Sequence, residues 1–256
     1  MYKKFTNRKF SIGLINILIV GITWYILSIL PFIKGTIPNP FSVIKILLST
    51  ELFTIISRLC ITLLNVLIIL AASTLIGYPI GFLCGYNKYI NSQLYPIFNS
   101  LKSIPITVLL PVFIVVFHLD YFLYPLIAVP LIANLSVNIS QSVSQINENR
   151  LNIVSLMGIK KKRIFIHIYF WETVEPLLTT MRILVTYALT IEIALDYFLR
   201  TSQGIGSYIF SQYNSYDEHK YSYMFAGILI VSIVGISSIK LVDLISNKLL
   251  KWKEKI

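Results

Sequence analysis

The sequence is poor in charge. Only 13% of its 256 residues are charged, and 22 Lys and Arg outnumber 11 Asp and Glu. A soluble domain of this size carries about a quarter charged residues. With 56% hydrophobic residues and a mean hydropathy of +0.75, the chain reads as an integral membrane protein with little left over for a soluble module. Histidine is also scarce: His118, His167 and His219 are the three present, and no cluster has metal-ligand spacing. The two cysteines, Cys60 and Cys84, fall in one apolar block. On a continuous helix they lie roughly 36 Å apart, too far to pair. There is no Walker lysine motif and no Gly-rich phosphate cradle, so the sequence offers no catalytic residue and no resident cofactor or metal. The net charge of +11 sits in loops and tails. It reads as a topology signal and as contact with anionic lipid, with no nucleic-acid surface.

What is present is a series of long apolar blocks. Ser11 to Ile33 contains no charge and is about long enough to cross a bilayer. The basic stretch before it looks like a signal peptide, but the run is too long for that and no small-x-small cleavage site follows, so a retained first span is expected. Pro38 and Pro40 then bracket Asn39, and Ser42 is expected to cap a short amphipathic helix from Val43. A second span is expected over 59–84, with Gly77, Gly81 and Gly85 on one face as a helix-packing surface. The third block, 94–117, is broken by Lys102, Pro105 and Pro111 and is expected in the bundle interior beside a pathway. The fourth, 121–140, contains Asn134, Ser136 and Asn138, which either bond across helices or line a pore. The fifth, 174–199, carries Arg182, Glu192 and Asp196; the two acids are four residues apart on one face. Arg182 is read as paired with Glu175, or snorkelling, or as an internal counter-charge. A polar loop with Gly204 and Gly206 leads to a sixth span over 221–239 and a lysine-bearing tail.

About six spans place both termini on one side. The tails and the loops after spans two and four hold about fourteen Lys and Arg, against about five opposite, which makes that side cytoplasmic. The fold class is therefore all-α integral membrane, in a single membrane domain.

The long polar break from Gln141 to Pro176 organises the rest. Ser144 to Met157 roughly fits an amphipathic helix, with an apolar face for a partner surface. Gly158 interrupts it as a helix-ending glycine does, and Lys160, Lys161, Lys162 and Arg163 precede a second amphipathic run, Ile164 to Phe170. Helix, glycine turn and helix between membrane blocks is a shape suited to being gripped by another protein, or else an ordinary loop whose cations fix topology.

In motif order the chain resembles the membrane-spanning permease subunits of bacterial ABC importers, within them the nitrate, sulfonate and taurine type. Gly158 stands at that family's loop glycine, with Asn152, Ile153 and Val154 at its Glu-Ala-Ala positions, Phe170 and Trp171 at its Leu-Pro, and Pro176 at the later proline. Ile37-Pro38-Asn39-Pro40 is similar to its Leu-Pro-Ser-Pro, and the glycine ladder falls where its second span has glycines. Ser103-Ile104-Pro105 and Leu110-Pro111 are similar to its span-three Ile-Pro and Leu-Pro. Thr180-Met181-Arg182 and Gly204-Ile205-Gly206 match its Gly-Leu-Arg and Gly-Leu-Gly, with Asp196 nearest its acidic position. The resemblance covers roughly 37–245.

It implies a permease that performs no covalent chemistry itself. Two ATP-binding subunits, a second permease subunit and an extracytoplasmic solute-binding protein would be its partners, in the bacterial cytoplasmic membrane. Asn152, Ile153, Val154, Ser155, Leu156, Met157, Gly158, Ile159, Lys160 and Lys161 would form the ATPase-coupling surface. Asn134, Asn138, Glu192 and Asp196, with Arg182 as counter-charge, are the translocation-pathway candidates. The acidic pair offers no anion site, which weighs against an anionic cargo relative to a vitamin-precursor-like one. Two other classes fit less well. A rhomboid-like protease needs Gly-x-Ser-Gly, whereas Gly204-Ile205-Gly206-Ser207 has the wrong order. A self-sufficient secondary transporter or channel shows a matching pair of broken helices and needs no docking loop.

Overall fold

A computed structural model describes residues 2–31, 35–105, 108, 123–199 and 203–251. Their regular elements are all helical: α1 (Tyr2–Ile29), α2 (Pro40–Leu47), α3 (Glu51–Tyr86), α4 (Lys88–Ser103), α5 (Leu123–Ser144), α6 (Glu148–Leu156), α7 (Lys161–Ile164), a π-helical turn (Phe165–Phe170), α8 (Trp171–Leu199), α9 (Ile205–Tyr213) and α10 (Lys220–Leu249). Among these residues four helices are long and apolar enough to cross a membrane: Glu51–Tyr86, Tyr124–Ser144, Phe165–Tyr197 and Lys220–Leu249. The apolar part of α1 that meets the same composition test, Leu18–Ile29, is shorter. The end of the expected first span and most of 104–117, including Pro111, lie outside the described residues.

The chain divides into two compact units, 1–60 with 196–232 and 61–195 with 233–256. In the first unit, Val43, Ile55, Ile205 and Ala226 are fully buried. The Trp24 indole donates to the Pro38 carbonyl at 3.1 Å and stacks on Phe225. Asn39, not Ser42, caps α2: its side-chain oxygen accepts from the Phe41 amide at 3.0 Å. Pro40 fits the first helical position, where its missing N–H is no loss.

The second unit is built on α5. Most of its membrane-length window is buried, with Ile127, Leu131, Ala133, Leu135 and Ile139 sealed from solvent. A helix apolar on nearly every side belongs inside a bundle. Gly77, Gly81 and Gly85 of α3 face it, and a Cβ on Gly81 would stand 2.6 Å from the Ser136 carbonyl oxygen. Ser136 Oγ donates back to the Gly77 carbonyl at 3.1 Å. The close approach thus seats a hydroxyl on a backbone acceptor, as small-residue packing between membrane helices allows.

Several boundaries differ from those expected. The second span starts at Glu51, eight residues early, because the helical pattern continues through charged Arg58. The sixth runs to Leu249, so the basic tail begins as helix. The described part of the third block is not interior to this chain: α4 packs along α5 yet has no buried residue. Asn87 caps α4 through the Tyr89 and Ile90 amides.

Candidate coupling surface and pathway

The loop after α5 is two pieces of helix where one was expected. α5 ends at Ser144, and Asn147 starts α6 by accepting from the amides of Asn149 and Arg150 at 2.9 and 3.4 Å. An Asn side chain satisfies amides that the first helical turn leaves open, so it breaks the helix there. Arg150 donates to the Glu172 carboxylate at 2.6 Å and ties α6 to the base of α8. At its far end α6 presents Ile153, Leu156 and Met157, exposed by 60, 86 and 72%. Asn152, Ser155 and Ile159 are exposed beside them, and Val154 is half-buried. Gly158 then takes φ +73° with nothing within 4 Å of its would-be Cβ, so backbone conformation alone selects glycine there. Lys160 is exposed; the side chain of Lys161 lies outside the described residues.

Behind this surface the π-helical turn meets the end of α3. Phe165 and Tyr169 pack edge-on against Phe82, and Tyr169 against Tyr86, at ring separations of 4.9, 5.8 and 5.5 Å. A cavity of about 520 Å³ lies between α6 and this aromatic cluster, with Asn152, Ser155, Phe165 and Tyr169 in its wall.

The pathway candidates separate into different environments. Glu192 and Asp196 are 4 and 3% exposed. Asn65 of α3 donates to the Glu192 carboxylate at 2.8 Å, and Tyr124 donates to the Asn65 amide oxygen at 3.0 Å. Asn134 bonds within its own helix, to the Pro130 carbonyl. Asn138 reaches across: its amide nitrogen donates to Thr180 at 3.2 Å, and its oxygen accepts from the Lys102 ammonium at 3.4 Å. Arg182 pairs with Asp243 of α10 at 2.5 Å rather than with Glu175. Sequence reasoning missed Asn65, Tyr124 and Asp243, and named Thr180 as part of a motif without its bond to Asn138. The signal for Asp243 lay in the sequence as an acid following Lys240 in a helical pattern, had the last span been continued.

The structure thus places an exposed apolar helix between two membrane-length helices and bonds polar side chains from one helix to another. The chain belongs to the family of binding-protein-dependent transport system inner membrane components, matched over residues 77–251. The match begins at the first glycine of the ladder and includes the whole 141–176 loop. Among its relatives is the formylaminopyrimidine transport permease protein ThiX of Halalkalibacterium halodurans, 27% identical over 224 residues and 86% of each chain. The aliphatic sulfonates transport permease protein SsuC of Bacillus subtilis, putative in its own name, is 23% identical over 94% of this chain and 87% of its own. The nitrate import permease protein NrtB of Synechococcus elongatus is 26% identical over 68% of this chain and 62% of its own. A chain in the crystal structure of a bacterial ABC transporter that imports the acidic polysaccharide alginate shares the fold. Its TM-score is 0.56 at 15% identity, covering 96% of this chain and 99% of that one. The protein is thus a permease component of an ABC importer.

Proposed function

We propose that the chain forms, as a single membrane domain, one half of the translocation pathway of an ATP-driven importer for a small solute. In this reading it pairs with a second permease subunit, and two ATP-binding subunits and an extracytoplasmic binding protein complete the machine. The termini and the α6 loop face the cytoplasm, in keeping with the excess of Lys and Arg on that side. The observation that carries the reading is the exposed tip of α6. Ile153, Leu156 and Met157 are apolar and uncovered in a segment too short to span a bilayer. Seated in a groove of an ATP-binding subunit, they bury that surface, while Gly158 turns the chain out and Lys160 meets the groove's rim. Closure of the ATPase pair on ATP then pushes α6. The Arg150–Glu172 pair carries the push to α8, as rigid-body switching requires. Asn134, Asn138, Arg182, Glu192 and Asp196 are the pathway residues of this reading.

The test is a mild-detergent pull-down of the full chain from its native host, with mass spectrometry of what accompanies it. An ATP-binding subunit is expected with the wild type. Gly158→Val, which forces a β-branched residue into a left-handed backbone, is expected to lose it while the protein stays in the membrane. A chain that comes down alone and moves solute in liposomes without ATP would overturn the proposal.

A further inference from the structure

The π-helical turn Phe165–Phe170 joins α7 to α8, in the passage from the exposed α6 to a membrane-length helix. Such winding is rare and occurs mostly as single turns inside α-helices, often at functional sites. Here a residue of the following helix bonds back onto it. The fully buried Thr173 hydroxyl shares its proton between the Tyr169 and Phe170 carbonyls, at 3.0 and 2.8 Å. With that proton committed, the Tyr78 hydroxyl of α3 is the donor in the 2.7 Å bond to Thr173 Oγ1. Two hydroxyls thus catch the turn against a neighbouring helix.

Open space borders the turn. The cavity of about 520 Å³ beneath α6 has Ile164, Phe165 and Tyr169 in its wall. A second, of about 580 Å³, meets Ile164, His167 and Ile168, and a third of about 580 Å³ meets Tyr78 and Phe170. A close-packed junction has one arrangement, because side chains that move meet other side chains; this one has room for a second. Wound as α-helix, the same residues would turn everything before them against α8 by one residue's rotation, about 100°. Leu184, Ala188 and Leu195 are sealed in the bundle and hold α8 in place. The rotation therefore falls on α7, Gly158 and α6, and it carries the Phe165 and Tyr169 rings off Phe82 toward the cavity beside them. The Arg150–Glu172 pair reaches past the turn, so a load on α6 acts on both of its ends.

We propose that Phe165–Phe170 is a winding switch, π-helical with the Tyr78–Thr173 catch closed at rest and α-helical with it open when the ATP-binding subunits close. This deepens the importer reading and rests on it for what drives the change. The catch holds α6 in one setting until the load on it exceeds the hold of two hydroxyls, and rewinding then turns the push into a twist of the docking surface. Coupling of this kind is reciprocal. Opening the catch by mutation therefore favours closure of the ATP-binding subunits, as their closure favours opening of the catch.

The test is hydrogen–deuterium exchange on the complex purified with the full chain, nucleotide-free and trapped with ATP and vanadate, beside ATP hydrolysis without binding protein. Amides of 165–173 are expected to change their exchange rate on trapping while those of α5 do not. Tyr78→Phe keeps the ring and removes the catch. It should move the exchange of 165–173 in the nucleotide-free complex toward the trapped value and raise ATP hydrolysis about fivefold, the effect of one lost hydrogen bond on a two-state balance. Tyr208→Phe, which removes a hydroxyl from the other unit, should do neither. Deleting the exposed Ile166 leaves the turn one residue short of π winding, and should give the trapped exchange pattern without nucleotide. If that deletion fails to insert, Tyr78→Phe still decides. The proposal is overturned if 165–173 exchanges alike in both states, or if Tyr78→Phe lowers the thermal midpoint yet leaves exchange and hydrolysis as in the wild type. Failure of the importer reading is seen separately, as absence of an ATP-binding subunit from the pull-down. The Tyr78→Phe exchange shift, measured on the chain alone in detergent, then reads whether the turn has two windings: a shift supports the switch and its absence overturns it.

Discussion

The Asn65 amide nitrogen donates a hydrogen bond to the Glu192 carboxylate at 2.8 Å, joining α3 to α8 in the apolar body of the second unit. A carboxylate exposed by only 4% is expensive to leave short of donors. Tyr124 completes the arrangement by donating to Asn65 from α5, which fixes the orientation of the amide.

Replacing Asn65 with Leu removes one donor from buried Glu192 and takes away the acceptor of the exposed Tyr124 hydroxyl. The expected loss is about 1–3 kcal/mol, read as a lower thermal midpoint of the purified chain in detergent. Glu192→Gln should cost less than Asn65→Leu, because its amide oxygen still accepts from Asn65. A midpoint unmoved in Asn65→Leu would show that the bond carries no stability.

The glycine ladder makes a sharper prediction because its spaces differ. A Cβ on Gly81 meets the Ser136 carbonyl oxygen at 2.6 Å, and one on Gly85 meets the Val143 Cβ at 2.5 Å. Gly235, in α10, has nothing within 4 Å. Gly81→Ala and Gly85→Ala should each destabilise by about 1–3 kcal/mol, since backbone must move to admit the methyl. Gly235→Ala should be neutral or stabilising by up to about 1 kcal/mol, from helix propensity alone. Equal thermal midpoints for all three would contradict the close approach of α3 and α5.

These contrasts show which parts were legible in the sequence. Apolar block length revealed a helical membrane protein, and the order of short motifs revealed the family. Four-residue glycine spacing is visible in a string of letters, and so is a glycine between a helical run and a cation cluster. Asn65 was not legible: a single amide in an apolar block has no period, and its meaning depends on Glu192, far away in the chain. The cap at Asn147 was hidden because the apolar residues on either side of it fit one amphipathic pattern. The break appears only when its side chain is seen bonding to two amides. Asp243 was lost for a simpler reason, that the last helix was ended too soon.

Tyr208 predicts a response to alkali. Burial is the larger cause, and the Glu51 carboxylate beside it the next, of a phenol pKa raised above its ordinary value. The unfolded chain releases this proton near pH 10 and the folded chain only at higher pH. Stability from this group is therefore complete below about pH 10 and falls as the pH rises beyond it, because the unfolded state then binds fewer protons. Ultraviolet titration at alkaline pH should show one late phenol in the wild type that Tyr208→Phe lacks. If the wild-type and Tyr208→Phe curves differ instead by a phenol titrating near pH 10, neither the burial of Tyr208 nor its contact with Glu51 holds in solution.

The Arg182–Asp243 pair leads to the last prediction, because its worth depends on what surrounds α8 and α10. Both side chains are partly exposed, Arg182 by half, and in water such a pair contributes roughly 0–1 kcal/mol. Yet both lie in membrane-length helices, where a lone charge against lipid costs about 2.5–3.5 kcal/mol. Removing one partner therefore has two different outcomes. Facing a water-filled pathway, Arg182→Leu and Asp243→Leu should each insert normally and change uptake more than stability. Facing lipid, each single variant should insert poorly, and the double variant should insert as well as the wild type because no lone charge remains. The proposed role of Arg182 as a pathway counter-charge requires the first outcome. Membrane-fraction yield of the three variants, measured beside solute uptake, decides it, and good insertion of the double variant alone would remove Arg182 from the pathway.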